Sequence, residues 1–207
     1  MITIVDYGVG NIHSLLNVYE YLGIDAQASC ESSVIADAER LILPGVGAFD
    51  KAMYALSERN LIPALEYAAN CRRIPVLGIC LGMQLFARSS EEGKLPGLGW
   101  LSADVRRIKV RPELGLKIPH MGWGEITPTR SSQMFASGEQ AERFYFVHGY
   151  HIVCDNSSDV LATVDHGDRI TCAVNKKNIW GVQFHPEKSH CHGMKLLGAF
   201  ANIKGEQ

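Results

Sequence analysis

Along the first half of the chain, apolar positions switch repeatedly between the period of a strand and that of a helix. Ile2-Thr3-Ile4-Val5 is a short β-rich run that stops at Asp6-Tyr7-Gly8-Val9-Gly10-Asn11; Ile12, Leu15, Leu16, Tyr19 and Leu22 then fall on one helical face. The pattern predicts strand, glycine turn, helix. It recurs as a short strand near Asp25 to Ala28. Next, Leu41-Ile42-Leu43 runs into Pro44-Gly45-Val46-Gly47, followed by helical spacing through Phe49, Met53 and Leu56. Pro75 to Ile79 is a continuous apolar run of the kind a buried parallel strand gives, and a helix is expected from Leu81 to Ala87. From Gly93 the segments shorten between glycines and prolines. β-type runs lie at Val105 to Val110, Phe144 to Val147, Ile170 to Val174 and Ile179 to Phe184, and a helix at Met194 to Phe200 closes the chain. The expected architecture is α/β: an open mixed, mainly parallel sheet flanked by helices, with a mixed or antiparallel second half. No repeat, low-complexity tract or linker divides the 207 residues, so residues 1–207 read as one domain.

Composition narrows the function. Apolar residues are 46 % and charged residues 20 %, which fits a packed globular chain rather than a disordered or fibrous one. Lys and Arg number 20 against 22 Asp and Glu, a net charge of −2. That balance lacks the basic excess that binding a phosphate backbone requires, so nucleic acid is not expected as a partner. The opening Met1-Ile2-Thr3-Ile4-Val5-Asp6 places an aspartate where a secretory leader needs apolar residues, and no stretch approaches a membrane span; a cytoplasmic protein is expected. The six cysteines are dispersed without a CxxC pair, so reduced thiols are expected, one of them free to act chemically.

Gly78-Ile79-Cys80-Leu81-Gly82 has the small-x-nucleophile-x-small form of a nucleophile elbow, placed where a strand gives way to a helix. Glycines on either side let the backbone turn sharply, and the start of the following helix favours the thiolate. The same arrangement also suits a small buried cysteine at a βα junction. A thiol nucleophile needs a base held by an acceptor. Gln183-Phe184-His185-Pro186-Glu187 offers one, because residues two apart in an extended segment share a side. A solvated corner is the competing reading of that stretch. Here the acid follows the histidine, unlike the order in α/β-hydrolases. Pro44-Gly45-Val46-Gly47 could turn backbone N–H groups toward an oxyanion or serve as a plain turn; it is no Walker loop, and Gly8-Val9-Gly10 lacks the full dinucleotide fingerprint. Ser189-His190-Cys191-His192-Gly193 makes a poor metal site, since ligands in adjacent positions crowd a tetrahedron; no metal or cofactor is expected.

Six segments, in order, resemble the class I glutamine amidotransferases, and within them the glutaminase subunits of imidazole glycerol phosphate synthase. They are Asp6 to Asn11, Leu43 to Phe49, Leu77 to Gln84, Pro119-His120-Met121-Gly122-Trp123, Tyr145-Phe146-Val147-His148 and Phe184 to Ser189. The resemblance implies a flavodoxin-like fold, a Cys80, His185, Glu187 triad, and oxyanion donors near Gly47 and Leu81. It implies that glutamine is held by Gln84 and Glu92 and by the backbone around Gly149 and Tyr150. Asn11, Tyr145 and Lys188 would face a (β/α)8-barrel partner in a heterodimer that receives the ammonia. Two positions depart from the family pattern: Gly124 stands where Asn is usual, and Gly149-Tyr150-His151 where Ser-Tyr-Tyr is usual. The implied activity is ammonia supply for histidine biosynthesis. Alternatives are ammonia supply for an amidino group on a surface-polysaccharide sugar, a non-catalytic binding module, and a freestanding thiol hydrolase.

Overall fold

The computed structural model describes residues 1–135 and 142–204. In chain order the first half runs β1 (Ile2–Val5), α1 (Ile12–Tyr21), β2 (Ala26–Ser29), α2 (Ser32–Ala36), β3 (Leu41–Gly45), α3 (Phe49–Glu58), α4 (Ile62–Glu66), β4 (Val76–Cys80) and α5 (Leu81–Gln84). The second half runs β5 (Ser89–Ser90), β6 (Ala103–Arg107), β7 (His120–Pro128), β8 (Arg143–His148), β9 (Tyr150–Cys154), β10 (Val160–His166), β11 (Asp168–Lys176), β12 (Ile179–Val182) and α6 (His190–Ala201). One sheet carries nine strands in the order β2-β1-β3-β4-β12-β11-β10-β7-β8, and β5-β6-β9 form a smaller one.

The strands from β2 to β12 are parallel, and those beyond β12 pair antiparallel. β1, β3, β4 and β12 are buried along their whole length because apolar side chains cover both sheet faces, which is why their sequences show no alternation. Phe49, Met83, Phe86 and Leu101 pack on one face; Tyr19, Phe144, Phe184 and Leu197 pack on the other. α1 and α6 cover the second face together, and the Tyr19 hydroxyl reaches the Leu197 carbonyl at 3.4 Å.

Two features of this topology create the site. β12 is the last strand in sequence yet slots beside β4, with Val182 paired to Ile79. Its continuation through Gln183 to His185 therefore emerges next to Cys80. The carboxyl ends of β1, β3, β4 and β12 also lie on one edge, the usual place for chemistry in an open parallel sheet.

The helix expected over Leu81 to Ala87 stops at Gln84. The carbonyls of Leu85, Phe86 and Ala87 are taken by the N–H groups of Leu98, Leu101 and Gly99, so long-range bonds replace the helical ladder. β7, β9 and β10 lie where no strand was expected. β7, for one, is mostly exposed and glycine-interrupted, and so lacks a clean two-residue period.

Candidate active site

Cys80 adopts φ +54°, a left-handed conformation rare for a side-chain-bearing residue. Such strain is characteristic of a nucleophile held at a strand-to-helix turn. Gly82 makes the turn possible: a Cβ there would collide with the Leu43 carbonyl, so only glycine lets α5 lie against β3. Cys80 is 7 % exposed, at the floor of a cavity of about 300 Å³. Gly47, Leu81, Gln84, Glu92, Gly149 and Tyr150 line the same cavity. The structure thus gathers every residue expected to touch substrate or oxyanion.

The candidate base is built by the segment after β12. His185 is 1 % exposed, and its Nδ1 lies 2.8 Å from Glu187 Oε1. The expected route to this contact was an extended segment. Instead Pro186–Lys188 forms a 3₁₀ turn that swings Glu187 back beneath the ring. Ser189, fully buried, locks the turn: its hydroxyl donates to the His185 carbonyl at 2.6 Å and accepts the Tyr145 N–H at 3.0 Å. The Tyr145 carbonyl in turn accepts the His185 N–H.

His185 Nε2 is buried without a hydrogen-bond partner, and the Cys80 sulfur acts on the ring. Burial pulls the His185 pKa down, but the Cys80 sulfur and the Glu187 carboxylate outweigh it and raise the pKa to about 10. For Glu187, burial acts upward and the bonds from His185 and Asn11 act downward; the net result lies below the ordinary carboxylate value. Nδ1–H therefore donates to Glu187, which leaves Nε2 able to take or release a proton.

Asn11 was expected at a partner interface; its Nδ2 also donates to Glu187 Oε1 at 2.7 Å and so holds that carboxylate. Lys188 is exposed beside it. The Tyr145 ring meets Trp123 edge-on with centroids 6.2 Å apart, and Trp123, 43 % exposed, stacks on His190. His190, Cys191 and His192 open α6, and among the described residues no group of three His, Cys, Asp or Glu is placed to hold a metal ion.

On the substrate side, Gln84 Nε2 donates to the Tyr150 carbonyl at 3.1 Å and to Gln183 Oε1 at 3.0 Å. Both N–H groups are spent, so only its oxygen remains to accept from a ligand. Glu92 Oε2 accepts the Phe49 N–H at the start of α3, leaving Oε1 for a ligand. Gly124 has a steric reason: a Cβ there would come within 2.9 Å of the Phe146 ring. Gly149 has none, since an added Cβ would meet only Ile118 at 3.7 Å. The sequence reading gave no role to Tyr7, Gln183 or Ser189, all of which contact this machinery. Their only signal was membership of the motifs carrying Asn11, His185 and Glu187.

Residues 3–202 match the family described as glutamine amidotransferase class-I. The chain belongs to that family. It is 47 % identical over 204 residues to the imidazole glycerol phosphate synthase subunit HisH of Bdellovibrio bacteriovorus, covering 98 % of this chain and 100 % of that one. The corresponding HisH 2 of Pseudomonas aeruginosa is 43 % identical over 203 residues, with 98 % and 100 % covered. Among solved structures, PurLQS from Thermotoga maritima superposes with a TM-score of 0.72 at 21 % identity over 97 % of both chains, a likeness of fold. In this amidotransferase, as the resemblance implied, a mixed sheet flanked by helices carries the motif residues to one edge.

Proposed function

We propose that this amidotransferase is the glutaminase subunit of an imidazole glycerol phosphate synthase in histidine biosynthesis, releasing ammonia from glutamine for a synthase subunit. One observation carries the reading. A cysteine on a strained turn faces a buried His185–Glu187 pair at the floor of a pocket sized for an amino acid.

The Cys80 sulfur, as thiolate, attacks the side-chain amide carbon of glutamine, forming a C–S bond. His185 Nε2 gives its proton to the amide nitrogen, the C–N bond breaks, and ammonia leaves a γ-glutamyl thioester. His185 then takes a proton from water, whose oxygen attacks the thioester; glutamate departs and the sulfur is restored. Glu187, held by Asn11, keeps the imidazole in one tautomer. The Leu81 N–H, at the start of α5 where no intrahelical acceptor exists, and the Gly47 N–H would serve the oxyanion. Gln84 Oε1 and the free Glu92 oxygen suit the substrate ammonium. The backbone at Gly149 and Tyr150 suits its carboxylate.

The partner in this reading is a (β/α)8-barrel subunit docking over Asn11, Tyr145 and Lys188. Exposed Trp123 and Met121 extend that surface, and the high identity to HisH subunits over full length supports it. The reading places the protein in the cytoplasm; no helix among the described residues is long and apolar enough to cross a membrane. Complementation of a histidine auxotroph lacking this subunit, with the native barrel partner co-expressed, is expected to restore growth. Failure despite soluble expression and measurable glutaminase activity would favour ammonia supply to a sugar.

A further inference from the structure

Gln183 is fully buried, where an apolar residue of its size would pack as well and a primary amide is costly unless its groups are bonded. Its backbone N–H is fixed on the Cys172 carbonyl at 2.8 Å. Its side chain lies between two parts of the active site: Oε1 accepts from Gln84 Nε2 at 3.0 Å, and Nε2 stands 3.7 Å from the Cys80 sulfur.

The direction of this chain follows from chemistry alone. The Tyr150 carbonyl can only accept, and it is bound by His148 Nδ1 at 2.8 Å and by Gln84 at 3.1 Å. Gln84 must therefore present its nitrogen to Tyr150, and that same nitrogen meets Gln183. Gln183 must answer with oxygen, which leaves its N–H₂ facing the sulfur. Reversing any one amide would set two donors or two acceptors against each other.

We propose that Gln183 is a further catalytic residue, a hydrogen-bond donor that holds the Cys80 sulfur and favours its anionic form. The assignment rests on the glutaminase reading above. The donor acts twice: when the sulfur attacks as an anion, and when the thioester breaks and the sulfur leaves as one. It also supplies what α5 cannot. The sequence credited a helix start with stabilising the thiolate, but a helix of four residues carries little macrodipole. Among the described residues, the ionisable side chains His185 and Tyr7 also act on the sulfur, and the Tyr7 hydroxyl is committed to the Pro44 carbonyl at 2.6 Å. Because Gln84 lines the substrate pocket, the same chain ties occupancy of that pocket to the position of the nucleophile.

The test is the rate of Cys80 alkylation by iodoacetamide in the full chain, read on the Cys80 peptide by mass spectrometry at pH 7 and pH 9.5. Cys172, completely buried and bonded through its carbonyl to Gln183, serves in the same samples as a reporter of intact packing. Gln183→Glu is expected to slow Cys80 alkylation at pH 7 at least tenfold, and Gln183→Met severalfold, with both deficits shrinking at pH 9.5 and Cys172 unmodified. Unchanged Cys80 rates in both variants would overturn the assignment. So would slower Cys80 alkylation accompanied by exposure of Cys172, which would mean a packing role. Alkylation needs neither glutamine nor a partner, so failure of the complex with its partner's substrate bound to hydrolyse glutamine would sink the functional reading by a separate observation.

Discussion

The pocket has two walls of different character. The wall of Cys80, backed by Gln183 and His185, is at most 7 % exposed, and Asn11, Ser189 and the Tyr145 backbone fix its polar groups. The facing turn is looser: Val46 is 41 % exposed, and Gly47, at φ +94°, has nothing within 4 Å of where a Cβ would sit. Cys80, His185 and Glu187, the proposed nucleophile, base and orienting acid, are thus preassembled by strand pairing, whereas the proposed oxyanion donor at Gly47 lies on backbone with few constraints. The proposed chemistry resides in the first wall and the proposed control in the second.

Removing the nucleophile breaks the first wall most severely. Cys80→Ala should lower glutamine-dependent synthesis by about 10³-fold or more while the assembled complex still uses free ammonium. Parallel assays with the two nitrogen sources check this, and loss of both in an intact complex would give Cys80 another role.

Glu187→Gln keeps the shape and removes the charge. The hydrolysis rate should fall by about 10²-fold or more, as when a triad acid is replaced by its amide. It should also shift pH behaviour. Glu187, held below its ordinary value of 4.5, contributes stability that is present above that value and lost as pH falls. His185, raised from 6.5 to about 10, contributes stability that is full below 6.5 and lost as pH rises through about 10. Both contributions are complete only between 4.5 and 6.5. Thermal melts of the wild type should decline on the alkaline side of that window, and in Glu187→Gln the decline should be smaller and end at lower pH. Superimposable alkaline limbs would count against the His185–Glu187 coupling.

Asn11→Ala removes one bond to a charged carboxylate, worth about 1.5–3 kcal/mol, and should slow hydrolysis roughly tenfold with little change in KM. A change confined to KM or to partner affinity would return Asn11 to a purely interfacial role. At the small end, Gly149→Ser should alter stability by no more than about 0.5 kcal/mol, because the added Cβ meets only Ile118. A chemical melt reads this directly, and a loss well beyond that size would mean the strand junction cannot take a side chain.

The first wall was also the more legible in sequence. The Gly78 to Gly82 turn and the histidine–acid pair announce themselves locally, and the fully apolar β4 and β12 mark a buried parallel region. Gln183 was not legible as a donor, because its meaning depends on a register between β4 and β12 that no local pattern encodes. The 3₁₀ turn at Glu187 and the early end of α5 were hidden for the same reason: bonds to distant residues decided them. β7 and β10 escaped because exposed or antiparallel strands with glycines and polar residues carry a weak period-two signal.

Glutamine hydrolysis, measured for the lone chain and for the complex with its partner's substrate bound, tests the contrast between the walls most directly. The account predicts slow turnover alone and an acceleration of at least tenfold in the loaded complex, because only the donor wall remains to be set. Equal turnover in the two states would contradict it.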